Sequence, residues 1–282
     1  MAITLTGINR FPVKSCRGEA LTTATVEPWG LAGDRRWMVV DEDGETITAR
    51  EAHSMLLIRP GLLDGGLSVS APDLATLEVR EAVTAETVPV TVHGKPLRAT
   101  PAGAGADAWF GKAMGRPGRL VYLDDPRHRP TNPSYTRDTD RVSFADGYPL
   151  LLTTEESLAA VNGFVAEGPL GEEGPLPMIR FRPSIVVRGA SAWAEDDWRR
   201  VRVGAAEFRV VKGCDRCVVT TIDPQTAETG KEPITSLARH RRWDGKTWFG
   251  MSLVPDTAGA TIAVADEVEV LDAVQPGNGP PR

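Results

Sequence analysis

Cys214 and Cys217, three positions apart in Gly213-Cys214-Asp215-Arg216-Cys217, are two of only three cysteines in the chain; Cys16 is the third. A C-x-x-C pair admits three chemistries. A zinc site needs two further ligands at suitable spacing. Cys16 has no partner nearby, and His53, His93, His128 and His240 are scattered and never paired, which counts against zinc. A redox dithiol of the thioredoxin kind wants its motif at a helix start after a strand. Here Val218-Val219-Thr220-Thr221-Ile222 follows, a β-branched run that reads as a strand. The third reading is two small buried residues opening a strand, the commonest fate of free cysteine. From this motif alone the third is favoured.

A second set of residues is basic. Phe11-Pro12-Val13-Lys14-Ser15-Cys16-Arg17-Gly18 lies near the N-terminus, and Gly30-Leu31-Ala32-Gly33-Asp34-Arg35-Arg36-Trp37 follows after a short gap. Any one of Lys14, Arg17 and Arg35 could sit on a solvated edge. Each, however, lies within two residues of a Gly or Ser near an expected strand end, where backbone can approach a ligand closely. Cations so placed suit a phosphate or a carboxylate.

The elements that must position these groups are short and mostly extended. Runs at 36–40 and 47–51 around Asp41-Glu42-Asp43-Gly44, at 61–63 and 67–69 around Asp64-Gly65-Gly66, and at 87–92 and 95–100 around His93-Gly94 read as three hairpins. A helix is expected at 106–114 and a strand at 119–123. The aperiodic stretch 124–139 reads as an interdomain or active-site loop, and Asp146-Gly147-Tyr148 stands in the loop before the next apolar run. Thr153-Thr154-Glu155-Glu156 then fits a helix start, with a helix to about Val165. Strands follow at 184–188, 200–203, 207–211, 217–222 and 261–271, with a helix at 233–242. The run Arg239-His240-Arg241-Arg242 reads as a solvated helix end, and Trp193, Trp198, Trp243 and Trp248 as packing residues. The fold class is mainly β with a few helices, arranged as two barrel-like β domains. The expected segments are a first domain at 1–123, a connecting loop at 124–141, a second domain at 142–274 and a frayed tail at 275–282.

Composition narrows the function. With 32 basic against 38 acidic residues the net charge is −6 and the isoelectric point about 5.4, and the sequence has no long Lys/Arg run. Nucleic-acid binding is therefore not expected. The sequence contains neither an apolar run of membrane-spanning length nor, over residues 1–9, a charged segment leading into an apolar block. A cytoplasmic protein without membrane association is expected, and three cysteines suit a reducing compartment.

Several longer segments carry a family resemblance. Pro12-Val13-Lys14-Ser15-Cys16-Arg17-Gly18 with Gly33-Asp34-Arg35-Arg36-Trp37 resembles the N-terminal β-barrel domain that precedes MOSC domains. Phe181-Arg182-Pro183-Ser184-Ile185-Val186-Val187, Trp193-Ala194-Glu195-Asp196-Asp197-Trp198 and Cys214-Asp215-Arg216-Cys217-Val218-Val219-Thr220-Thr221-Ile222-Asp223-Pro224 resemble the MOSC domain itself. The likeness runs from about Leu5 to about Leu271, and the characterised relatives are amidoxime-reducing components.

The resemblance implies a molybdenum–molybdopterin cofactor, its metal held by a pterin dithiolene and one protein cysteine. Cys217 matches the family's metal ligand. Lys14, Ser15, Arg35, Arg182 and Arg216 match its pterin and phosphate contacts, and Ser184, Asp215 and Ser252 are further cofactor candidates. A thiolate is the soft donor such a site takes, and Arg216 is expected to hold Cys217 ionised. Ser184 stands where relatives often have Asn, and Ser252 where the amidoxime reductase has Tyr. The implied activity is reduction of small N-hydroxylated compounds, amidoximes and hydroxylamines. A separate donor (a ferredoxin, flavin reductase or cytochrome) would supply electrons. The alternatives are a non-redox carrier of the cofactor, or of sulfur on Cys217, and a degenerate binding module.

Overall fold

The computed structural model describes residues 2–81 and 86–277; the part of the expected frayed tail from 278 onward lies outside the described residues. Seven strands close a barrel: β1 (Ile3–Arg10), β2 (Leu150–Thr154), β3 (Ile185–Arg188), β4 (Trp198–Val203), β5 (Ala206–Asp215), β6 (Lys246–Pro255) and β7 (Glu267–Ala273). Around the barrel the order is β2, β3, β1, β7, β4, β5, β6 and back to β2. β2 and β3 run parallel. Such a pair needs a crossover, and helix α2 (Glu155–Ala166) supplies it. Leu5, Ile8, Leu152, Ile185, Val201, Phe208 and Leu253 fill the interior. Leu5 and Ile8 are three residues apart yet both point inward, because a bulge between Leu5 and Gly7 shifts the alternation by one.

The mainly β class expected from the sequence is the one adopted, with three α-helices among the described residues. One seven-stranded barrel is closed by strands of both segments, and the rest of the first segment forms smaller antiparallel sheets. Trp37–Val40, Arg119–Tyr122, Lys95–Pro101 and Val88–Val92 make one of four strands, and Arg59–Leu63, Gly66–Ala71 and Leu74–Arg80 one of three. Both pack with helix α1 (Ala104–Met114) around Trp37, Phe110 and Leu120 or on the adjoining core of Met38 and Val121. The segments at 1–123 and 142–274 also interlock. β1 sits between β3 and β7 of the barrel, and Thr261–Ala263 pairs with Thr23–Glu27.

Two expected strands are not strands. The return of the first hairpin at 47–51 is a turn in which Thr48 N–H donates to Glu51 Oε1 at 3.0 Å and Ala52 N–H to Thr48 O at 3.0 Å. Trp37–Val40 pairs instead with Arg119–Tyr122. The run after Cys217 is a single 3-10 turn, Val218–Thr221, in which the Thr220 and Thr221 hydroxyls donate back to Cys217 O and Val218 O at 2.9 and 2.8 Å. Those local bonds override the β preference of the side chains. The basic end of α3 (Ile234–His240) is not simply solvated either. Arg241 pairs with Asp196 and lies 4.1 Å from the Trp193 ring centre and 4.6 Å from that of Trp243, while His240 stacks on Phe164 at 4.0 Å.

The start of α2 rests on a buried acid. Thr154 caps the helix, accepting from Ser157 N–H at 3.0 Å, and Ser157 Oγ donates to the fully buried Glu195 at 2.9 Å. Burial pushes the Glu195 carboxyl up to about 7 from 4.5. Because the folded value is raised, the associated stability is complete below about pH 4.5 and is lost as pH rises through 7. Glu195→Gln should remove that loss, on the order of 3 kcal/mol across the window. Urea unfolding of both proteins below pH 4.5 and above pH 7 measures it; parallel pH slopes would contradict the assignment.

Candidate functional site

The end of β5, the loop before β2 and four turns of the first segment, at Lys14-Ser15, Arg35, Arg50 and His93, meet around a pocket of about 450 Å³. Bulges between Val210 and Lys212 and between Gly213 and Asp215 disturb the β5 register at its rim. Such bulges re-aim side chains at barrel rims, and Lys212, Gly213, Cys214 and Asp215 all line the pocket. Cys217 follows at the head of its 3-10 turn, half-buried and unpaired in any disulfide.

The pocket concentrates positive charge in an acidic chain. Lys14, Arg35, Arg50, Arg180, Arg182, Lys212 and Arg216 line it, against Asp146 and Asp215. Four of the lining residues hold a backbone conformation that side chains rarely adopt: Ser15 at φ 67°, Arg35 at φ 46°, His93 at φ 51° and Arg182 at φ 55°. Each costs on the order of 1–3 kcal/mol and persists only where surroundings impose it. For Ser15 the imposition is a turn closed by Cys16 N–H to Val13 O at 3.2 Å; for Arg35 it is its own N–H to Phe11 O at 2.8 Å.

The deep cations are held one by one. Arg182 donates to Cys16 O at 2.8 Å, and its guanidinium lies 4.3 Å from the Phe11 ring centre; that of Arg35 lies 4.5 Å from the same centre. Arg35 also pairs with buried Asp34, whose Oδ1 accepts from Phe11 N–H at 2.7 Å. Burial drives the Arg182 pKa down to about 10, with Arg35 adding repulsion. Burial lowers Lys14 as well, although its ammonium pairs with Asp146 and donates to Phe144 O at 2.8 Å. Arg129, from the aperiodic loop, donates to the carbonyls of Ser143, Ala145 and Asp146 and so fixes the wall that carries Asp146.

Of the residues singled out in the sequence, Lys14, Ser15, Arg35, Arg182, Asp215, Arg216, Cys217 and Ser252 all line this pocket, as do Asp146, Gly147 and Tyr148. Ser184 is not on its wall. It is fully buried behind it, where its Oγ is 3.5 Å from Arg35 Nη1 and 3.4 Å from Leu151 N. Ser184 therefore supports Arg35 and is not placed as a direct contact. Arg216 departs from expectation too: its guanidinium goes to Cys214 Sγ at 2.9 Å and Phe181 O at 2.7 Å, not to Cys217. The pocket also contains Arg50, His93, Arg180 and Lys212, which the sequence had not marked. Arg50 and His93 come from the turn at 47–52 and a hairpin tip, with no motif to flag them; Arg180 stands two residues before Arg182.

The residues fit a phosphate-bearing pterin with a metal. Arg180 Nε, Arg216 Nε and Tyr148 Oη are buried and have no hydrogen-bond partner within the protein. Buried donors without partners are costly, and together with the surplus cations they suit an anionic, multiply accepting ligand. Cys217 is the soft donor in the same pocket. No group of three His, Cys, Asp or Glu side chains suited to hold a metal occurs among the described residues, so a metal here would depend on donors from its own ligand.

Comparison with known proteins agrees in kind. Residues 2–117 match the MOSC N-terminal beta barrel domain and residues 139–269 the MOSC domain. The chain is 32% identical over 282 residues to mitochondrial amidoxime-reducing component 1 of Homo sapiens, covering 93% of this chain and 81% of that one. Its counterpart in Xenopus laevis is 32% identical over 247 residues, covering 83% and 70%. Molybdenum cofactor sulfurase of Oryza sativa subsp. japonica is 31% identical over 269 residues, covering 89% of this chain and 32% of that protein.

Proposed function

As this chain belongs to the MOSC family, with a MOSC N-terminal beta barrel domain followed by a MOSC domain, we propose that it binds the molybdenum cofactor in this pocket and reduces N-hydroxylated compounds. The observation that carries the reading is the meeting of a half-buried thiol, Cys217, with seven cations drawn from both segments. Cys217 Sγ is the protein's ligand to the metal. Lys14, Arg35 and Arg182 neutralise the terminal phosphate, and the left-handed backbone at Ser15 brings main-chain groups close to it. Arg216 and Asp215 bind the pterin beside Cys217, and Ser252, on β6 facing the same space, borders the substrate.

Bound there, the cofactor supplies two-electron removal of oxygen from nitrogen. For an amidoxime, two electrons and two protons convert the N–OH compound to the amidine and water. The protein's part is ligation, orientation and charge. The half-buried setting of Cys217 leaves room for a small substrate next to it. Metal analysis of protein expressed in a host that makes molybdopterin, followed by benzamidoxime reduction with an artificial donor, tests the reading. Bound molybdenum with turnover supports it; metal-free protein under those conditions contradicts it.

The similarity to the rice sulfurase favours a second reading, a carrier that holds the cofactor or sulfur on Cys217 for delivery. This chain spans about a third of that protein's length. Bound molybdenum without turnover would point to this carrier role.

Electrons must come from a separate protein. Gly103-Ala104-Gly105-Ala106-Asp107-Ala108 comes nearest to a dinucleotide fingerprint, yet the strand before it, Lys95–Pro101, pairs antiparallel on both sides. A dinucleotide site needs the parallel strand of a βαβ unit. The purified chain given NADPH alone should therefore show no turnover, and dithionite-reduced viologen should restore it. Turnover with NADPH alone would contradict the separate donor. No described helix is long and apolar enough to cross a membrane.

A further inference from the structure

The cation beside Cys217 in sequence is Arg216, but the cation beside its sulfur in space is Arg50. Arg50 Nη2 lies 3.6 Å from Cys217 Sγ and 3.5 Å from Asp146 Oδ2. Asp146 is a hub: it also takes Lys14 and accepts from His93 Nε2 at 2.9 Å. The turn that presents Arg50 is fixed at both ends, by Ile47 N–H to Val39 O at 2.9 Å and Ala52 N–H to Thr48 O at 3.0 Å. Between them Ala49 is fully buried in a small cluster with Leu56, Val219 and Ile222. The last two belong to, or directly follow, the turn that Cys217 heads. One patch of packing thus registers the Arg50 turn against the Cys217 turn, although they are about 170 residues apart in the chain.

We propose that Arg50 is a positioning residue for the metal site: it donates to Cys217 Sγ while Asp146 holds its guanidinium in place. The proposal rests on the reading of Cys217 as the molybdenum ligand. Hydrogen bonds to ligand sulfur draw electron density from it and favour the reduced metal. The first segment thereby sets the redox poise of a ligand that belongs to the second. Arg216, spent on Cys214 Sγ and Phe181 O, has neither contact.

Two measurements test this, and their failures are separable. In the molybdenum-loaded protein, Arg50→Met should bias the metal couple at least tenfold toward the oxidised state. A redox titration followed by electron paramagnetic resonance would read that as a fall of about 59 mV for one electron. Arg50→Lys, which restores charge and a donor, should recover part of the shift, which a purely structural role would not do. An unshifted midpoint in Arg50→Met at full metal content overturns the proposal. In metal-free protein, Arg50→Met should lower Tm by more in the wild-type background than in Cys217→Ala, because the contact is already gone there. Equal shifts in both backgrounds overturn the contact. Should wild type take up no molybdenum, the proposed function fails while the metal-free cycle still decides whether Arg50 engages the sulfur.

Discussion

Cys217→Ala should abolish amidoxime reduction, a loss of more than 100-fold, while Tm stays within a few degrees of wild type. The large effect follows because altering even the groups behind a metal ligand costs about 10–100-fold in affinity or activity, and in the proposed function Cys217 is the ligand itself. The small effect on stability follows because the side chain is half-buried at the head of a surface turn and fills no core position. Cys214→Ala separates the metal reading from a dithiol. Cys214 Sγ holds Arg216 Nη1 at 2.9 Å, so its loss frees a guanidinium that lines the pocket. About 1 kcal/mol of stability and a partial drop in activity are expected. Cys16→Ala should cost packing, since Cys16 is fully buried and engages Arg182 through its carbonyl alone, and burial pushes its thiol up to about 12. Activity assays and metal content of the three variants make the comparison. Equal loss in Cys214→Ala and Cys217→Ala would point to paired thiols.

Arg182→Ala should lower cofactor occupancy by roughly 10- to 150-fold in affinity, because a charge-assisted hydrogen bond to phosphate is worth about 1.5–3 kcal/mol. Arg182 lies deep in the pocket, braced by Cys16 O and the Phe11 ring, so no neighbouring cation can swing into its place without breaking its own contacts. Arg35→Ala should act in the same sense. Arg239 is exposed on α3 and serves as the control, whereas Arg241 is unsuitable because it pairs with Asp196 between two tryptophans. Molybdenum content after gel filtration reads the result. Unchanged content in Arg182→Ala, or equal loss in Arg239→Ala, would remove the phosphate assignment.

The hairpins at 61–69 and 87–100 and the helix at 104–114 were legible because their signals are local: turn residues between short apolar runs, and a helical period. The long motifs around Lys14, Arg35, Arg182 and Cys217 made most of the pocket legible as well. What the sequence hid depends on distance along the chain. β1 looks like the first strand of the first domain, and nothing near residue 3 announces that its partners are β3 and β7. The β-branched run after Cys217 reads as strand until the hydroxyls of Thr220 and Thr221 are seen closing a turn. Arg50 is hidden in the same way: a segment whose alternation reads as a hairpin return is the turn that delivers it. Adjacency in sequence points Arg216 at Cys217, yet successive residues in extended backbone point apart, and a residue from the other segment, Arg50, takes that place.

X-ray absorption at the molybdenum edge tests most directly whether Cys217 ligates molybdenum in this pocket. Loaded wild-type protein should show the sulfur pair of the dithiolene plus one further sulfur from Cys217. In Cys217→Ser that further sulfur should be missing, with a lighter oxygen scatterer in its place. The same sulfur count in wild type and Cys217→Ser, at equal metal loading, would contradict that ligation.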